Sequence, residues 1–92
     1  MAKFEWDPAK NAANVAKHAV SFGDAIRIFE GPVLELPDLR RDYGEDRIIA
    51  IGMLEDVELT LVYTIRSDAR RIISARRAHY RERKAYREAH QS

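Results

Sequence analysis

Hydrophobic and polar positions change period along the chain, and each change marks the start or end of an element. The opening Lys3-Phe4-Glu5-Trp6 alternates apolar and polar residues, which predicts a short strand. Asp7-Pro8 then supplies an N-cap and a proline for the first helical turn, so a helix is expected from Pro8 to about Lys17 or His18. Its apolar residues are Ala9, Ala12, Ala13 and Ala16 with Val15. These small side chains allow close approach to a neighbour and leave Lys10, Asn11, Asn14 and Lys17 for the polar face. Ala19-Val20 makes the turn. Ser21 with Asp24 resembles a capping box, and Phe22, Ala25, Ile26 and Phe29 fall at i, i+3, i+4 and i+7, the stripe of a core-facing helix. Gly31-Pro32 is expected to end it, the glycine in a left-handed cap and the proline blocking continuation.

Residues 33–36 read as a short strand stopped by Pro37-Asp38, and the polar run DLRRDYGED over 38–46 as a mobile loop. Residues 47–54 form a nearly continuous apolar run of strand length, suited to a central strand covered on both faces. After the turn Glu55-Asp56, Val57, Leu59, Leu61, Tyr63 and Ile65 alternate with Glu58, Thr60, Val62 and Thr64, giving one apolar and one mixed face. Arg66-Ser67-Asp68-Ala69 turns the chain into a strand over 70–76. From about His79 to Ala89 the pattern becomes helical, with Ala85 and Ala89 on one face and Lys84 and Glu88 at i,i+4. Three strands joined by short turns form an antiparallel meander, because parallel neighbours need long crossovers. The expected fold class is α+β, a twisted antiparallel sheet with two helices before it and one after, in a single domain over 1–92.

Composition agrees with a soluble globular protein: 46% of residues are hydrophobic and 34% charged. The absence of cysteine excludes disulfides and thiolate metal sites. No run approaches the roughly 20 apolar residues of a membrane span, and the N-terminus MAKFEWDPAK has no signal-peptide core, so a cytoplasmic address without membrane association is expected. The net charge of +1 hides an asymmetry. Residues 1–65 hold 7 Lys and Arg against 12 Asp and Glu, whereas residues 66–92 hold 9 against 3. A basic end of this kind suits a polyanion, or equally an acidic protein partner.

The basic residues concentrate in RRIISARRAHYRER, residues 70–83. Strand alternation places Arg76 and Arg77 on opposite faces. Arginine stays protonated at any ordinary pH and offers a rigid fork of donors matched to phosphate oxygens, so a cluster at a strand end is a candidate phosphate site; a solvated basic face is the alternative. His18, His79 and His90 have no metal-ligand spacing, and neither metal nor cofactor is expected. There is no Gly-rich phosphate loop and no GxSxG elbow. What remains is phosphodiester chemistry, in which a group takes a proton from a 2′-hydroxyl, cations stabilise the crowded phosphate and a donor serves the leaving oxygen. Arginine suits the second role, and His18, Lys17 or Tyr63 would move the proton. His18 also reads as a helix C-cap, and Tyr63 and Trp6 also read as core.

These residues fall into ordered blocks: Phe4-Glu5-Trp6-Asp7-Pro8-x-Lys10-x-x-x-Asn14, then Lys17-His18-x-Val20-x-Phe22, then Arg47-x-x-Ala50-Ile51-Gly52, then Val62-Tyr63-Thr64, and finally Arg71-Ile72-Ile73-Ser74-Ala75-Arg76-Arg77-Ala78 with Arg81-Glu82-Arg83. In that order, over nearly the whole length, they resemble the BrnT-type toxins of type II toxin–antitoxin pairs, related to RelE-like ribonucleases. The resemblance implies a RelE-like fold, an endoribonuclease that blocks translation, and neutralisation by a cognate BrnA-like antitoxin with a ribbon-helix-helix DNA-binding domain. The assembly it implies is a hetero-oligomer with the antitoxin, or a toxin dimer. Carried over by position, the catalytic candidates are Arg76 and Arg77, then Lys17 and Arg66, with His18 added for proton transfer. Arg71, Arg81, Arg83 and Thr64 in the same blocks are the substrate-binding candidates. Two positions depart from the family pattern, Ala19 where glycine is usual and His79 where serine or threonine is common. The rival reading is a non-catalytic basic module that docks an acidic partner or nucleic acid.

Overall fold

The structure, a computed structural model, describes residues 3–90. In chain order it comprises β1 (Lys3–Glu5), α1 (Pro8–His18), α2 (Phe22–Ala25) continued by a 3-10 turn (Ile26–Glu30), β2 (Val33–Pro37), β3 (Ile48–Leu54), β4 (Val57–Arg66), β5 (Ala69–Arg77) and α3 (Tyr80–Ala89). One sheet holds all five strands in the order β1-β5-β4-β3-β2. The expected meander of β3, β4 and β5 forms through two tight hairpins, and β2 joins it antiparallel. Each hairpin has a left-handed first loop residue, Glu55 at φ 54° and Ser67 at φ 54°, the sense of twist that two-residue loops favour.

The expectation of a wholly antiparallel sheet is corrected at one edge. β1 lies parallel to β5, with Phe4 opposite Arg70 and Glu5 opposite Arg71. Parallel pairing needs a long crossover, and residues 6–68 lie between these two strands. The sheet is therefore mixed.

One sheet face packs under α1, α2 and the 3-10 turn. Phe22, Ala25, Ile28, Ala50, Leu61 and Ala75 there are completely buried. The second helix departs from the expected spacing: its fully buried residues are Phe22, Ala25 and Ile28, an interval of three, because the α-helix gives way to 3-10 geometry after one turn. Ile26 and Phe29 are only half-buried. The tighter turn brings Ile28 against Gly52 on β3, where an added Cβ would stand 2.9 Å from Ile28 Cβ. Glycine at that position permits the contact. Gly31 is extended at φ −123°, not left-handed as expected, so Pro32 and the start of β2 end the element.

Strand alternation also breaks once. Val62 pairs with Ser74 but Tyr63 pairs with Ile72, so a bulge absorbs Ile73 and puts Ile72 and Ala75 on the same face. At Ala75 the outer edge of β5 is open, since β1 covers only residues 69–71. Asn14 of α1 fills that gap. Its Nδ2 donates to the Ala75 and Val20 carbonyls, both at 2.8 Å, and its Oδ1 accepts from the Ala75 N–H at 3.2 Å. Asn14 is thus buried as a substitute strand residue, correcting its assignment to the polar face of α1. Asn11, placed on the same face, accepts the Phe22 N–H at 2.9 Å.

α1 ends at Ala19 in the left-handed region (φ 59°), with its N–H bonded to Val15 O. This is one of the two positions that depart from the family pattern, and alanine adopts the left-handed conformation at a cost. The opposite sheet face carries Ile51, Val62, Thr60 and Thr64 and is covered in part by α3. The Tyr86 hydroxyl donates to Pro32 O at 2.9 Å and ties α3 to the start of β2. The loop over 38–46, expected to be mobile, is organised by buried Asp38. Both its carboxylate oxygens accept from the Arg40 guanidinium at 2.8 Å, and that fork holds the carboxyl at about 2, below its ordinary range. Among the described residues no helix is long and apolar enough to cross a membrane.

Candidate functional site

The two arginines that close β5 diverge as alternation predicts. Arg76 is paired with Thr60 and faces α3; Arg77 is paired with Leu59 and faces α1. Their surroundings give them different work.

Arg76 is held in a fork. Its Nη1 and Nη2 donate to the two Glu82 oxygens at 2.7 and 2.9 Å. Glu82 also accepts from the His79 N–H at 2.7 Å and the Thr60 hydroxyl at 3.1 Å. One carboxylate therefore caps α3 and anchors it to β4 and β5, so His79 at the N-cap is served by its backbone bond to Glu82. Burial pushes the Glu82 carboxyl up, but the Arg76 fork and the His79 N–H outweigh it and hold the group at about 2. A carboxyl lowered from 4.5 on folding contributes stability that is complete above about pH 4.5 and lost as pH falls towards 2. In a urea titration repeated down that range, the advantage of the wild type over Glu82→Gln is therefore expected to shrink as pH falls. An advantage independent of pH between 5 and 2 would refute that origin.

Arg77 is exposed, and among the described residues it forms no ion pair. It lines a cleft of about 220 Å³ with His18, Ala19, Val20, Asp24, Leu54, Glu55, Val57 and Leu59. The end of α1 thus brings an imidazole to the same cavity as the free guanidinium at the end of β5. Lys17, the preceding residue, is exposed on α1 outside the cleft lining.

The remaining candidates lie elsewhere. Arg66 sits at the far end of β4, seven residues from the strand partner of Arg77, or roughly 23 Å at strand rise. It approaches Glu45 at 4.0 Å, and Glu45 is also bound by Arg47 at 3.1 Å. A single clamp of Arg66 with Arg76 and Arg77 therefore does not form. Thr64 is buried and its hydroxyl donates to Asp46 O at 2.7 Å. Arg71 forms an ion pair with Glu5 at 2.7 Å on the β1–β5 edge. Arg83 donates to Ala78 O at 2.8 Å, and Arg81 is exposed on α3. Trp6 stacks edge-on against Phe22 with centroids 6.1 Å apart, as a core residue would.

A cluster missed by the sequence lies on the α1 side of the sheet near its β1 end. The Arg70 guanidinium carbon stands 4.5 Å from the Phe29 ring centroid, 5.4 Å from Tyr63 and 5.7 Å from Phe4. Beside it the Tyr63 hydroxyl donates to Glu35. Burial first, then the bond to Glu35, pushes the Tyr63 hydroxyl above its ordinary range. The alternation that puts Tyr63 on the apolar face was legible, but its pairing with β2 was not.

Comparison with known proteins bears on this arrangement. The family model described as the ribonuclease toxin BrnT of a type II toxin–antitoxin system matches residues 6–82. The 1.1 Å crystal structure of the Brucella abortus ribonuclease toxin BrnT is similar to this chain with a TM-score of 0.69 and 27% sequence identity, over 86% of this chain and 99% of that one. Comparison with curated proteins gives no match.

Proposed function

The chain belongs to the BrnT family of ribonuclease toxins of type II toxin–antitoxin systems, and on that premise we propose that it is a metal-independent endoribonuclease centred on the cleft of His18 and Arg77. The observation that carries this reading is that cleft: the His18 imidazole and a guanidinium that forms no ion pair among the described residues line one cavity. In the proposed step the substrate's 2′-oxygen attacks the adjacent phosphorus while His18 takes its proton. The bond from phosphorus to the 5′-oxygen breaks, and a solvent water protonates the departing oxygen. The products are a 2′,3′-cyclic phosphate and a 5′-hydroxyl. Arg77 binds the non-bridging oxygens and stabilises the charge that grows on them. Arg76 positions the strand end through Glu82 and does not itself reach the phosphate.

The same reading places the chain among RelE-like ribonucleases as a single domain over 1–92. Its action would be to inhibit translation in the cytoplasm until a BrnA-like antitoxin with a ribbon-helix-helix domain binds it. The exposed basic residues Arg81 and Lys84 of α3, beside an Arg87 forked onto Glu58, offer a surface for the RNA backbone or for an acidic segment of that antitoxin. Purified protein incubated with RNA in excess EDTA is expected to yield fragments with cyclic phosphate ends. Cleavage that stops in EDTA would remove the metal-free mechanism. Salt-sensitive RNA binding without any cleavage would favour the non-catalytic module instead.

A further inference from the structure

Arg70 has an environment that its role in the sheet does not require. Its guanidinium is surrounded by three aromatic rings, and among the described residues it has no ion pair. It opens with Glu35 into a cleft of about 510 Å³ whose walls include Phe4, Ile26, Phe29 and Val33, with the exposed Arg27 and Glu30 also on its lining. Glu35 belongs to an exposed stretch of β2, and its described hydrogen bond is the one accepted from the Tyr63 hydroxyl. A carboxylate has about four acceptor positions, so the group retains capacity to accept from a ligand. Apolar walls with Glu35 and Arg70 both held beside Tyr63 describe a site for a flat, partly polar molecule.

The chemistry of the two polar groups narrows the ligand. A carboxylate accepts only, so the facing edge must donate, and two adjacent donors bind it best. Among the four RNA bases only guanine presents adjacent donors on its Watson–Crick edge, N1–H and the N2 amino group, and its O6 acceptor lies next to them. That acceptor suits a guanidinium. Adenine, cytosine and uracil each set an acceptor lone pair against the carboxylate. Half-buried Phe4 and Phe29 line the cleft with aromatic surface, one face of each ring being held against Arg70.

From this we infer that the cleft between β1, β2 and the 3-10 turn binds an unpaired guanine base, with Glu35 accepting from its N1–H and N2 amino group and Arg70 donating to O6. The inference rests on the ribonuclease reading for its biological use: the cleft lies on the same sheet face as His18 and Arg77, with Gly23 of α2 on its wall and neighbouring Asp24 on the wall of the other. Tyr63, above the guanine cleft, and Leu59, below the catalytic one, are four residues or about 13 Å apart along β4. One RNA strand would thus be read at one cleft and cut at the other.

Isothermal titration of the wild-type protein with 3′-GMP, 3′-AMP, 3′-CMP and 3′-UMP tests it without any cleavage. Guanosine monophosphate is expected to bind about tenfold tighter than the others, the discrimination of one good bidentate contact. Glu35→Gln preserves an acceptor for the Tyr63 hydroxyl, so its amide NMR spectrum should stay dispersed while the guanine preference disappears. Equal affinities for the four nucleotides, no saturable binding, or an undiminished preference in Glu35→Gln would overturn the inference. If guanosine monophosphate binds selectively but RNA stays intact in EDTA, the base site stands and the nuclease reading falls. If RNA is cleaved in EDTA but no nucleotide binds selectively, the nuclease reading stands and the base site falls.

Discussion

Arg77→Ala is expected to lower the RNA cleavage rate by about 100- to 1,000-fold, the usual cost of removing one preorganised donor to a developing oxyanion. The fold should be unaffected, because the side chain is exposed and makes no ion pair among the described residues. Initial rates on a short single-stranded RNA, with circular dichroism as the folding control, measure this directly. Arg77→Lys should recover part of the loss, since it keeps the charge but not the planar fork. His18→Ala is expected to cost a similar amount through proton transfer, about 100-fold or more. The two arginines should also separate cleanly: Arg76→Ala frees Glu82 from its fork and should destabilise the protein, whereas Arg77→Ala should not.

Asn14→Ala is expected to lower unfolding free energy by about 3 kcal/mol, because it strands the Ala75 N–H and two carbonyls in a buried place. The effect is mechanical as well as energetic. Asn14 ties α1 to the β5 edge, and α1 carries His18 to the cleft while β5 carries Arg77. Denaturant titration should show the loss, and Asn11→Ala, which removes one half-buried bond to the Phe22 N–H, should cost about 1 kcal/mol. An Asn14→Ala protein as stable as wild type would mean that the Ala75 edge finds other partners.

Much of this was legible in the sequence. The N-cap at Asp7, the hairpin turns and the alternation of β4 gave the meander, since each rests on near-neighbour chemistry. The parallel pairing of β1 was not legible, because strand order between distant segments leaves no local trace. The burial of Asn14 was hidden for a related reason: an amide on a helix reads as polar surface unless an open strand edge lies beneath it. The change to 3-10 geometry after Ala25 brings Ile28 against Gly52, a contact with a distant strand that the local spacing does not reveal. In the site, the divergence of Arg76 and Arg77 followed from alternation. That Arg76 would be consumed by Glu82 depended on where α3 docks, and the Glu35, Tyr63 and Arg70 cluster depended on which strands become neighbours.

In the proposed mechanism His18 and Arg77, and not a wider ring of arginines, form the cutting centre. The most direct test is the rate of cyclic phosphate formation from one defined RNA in excess EDTA, measured for the wild type, for His18→Ala with Arg77→Ala, and for Arg66→Ala. The predicted result is loss of cleavage in the double variant and a near wild-type rate in Arg66→Ala. Full activity in the double variant, with activity lost in Arg66→Ala, would move the centre to the other end of β4 and contradict the account.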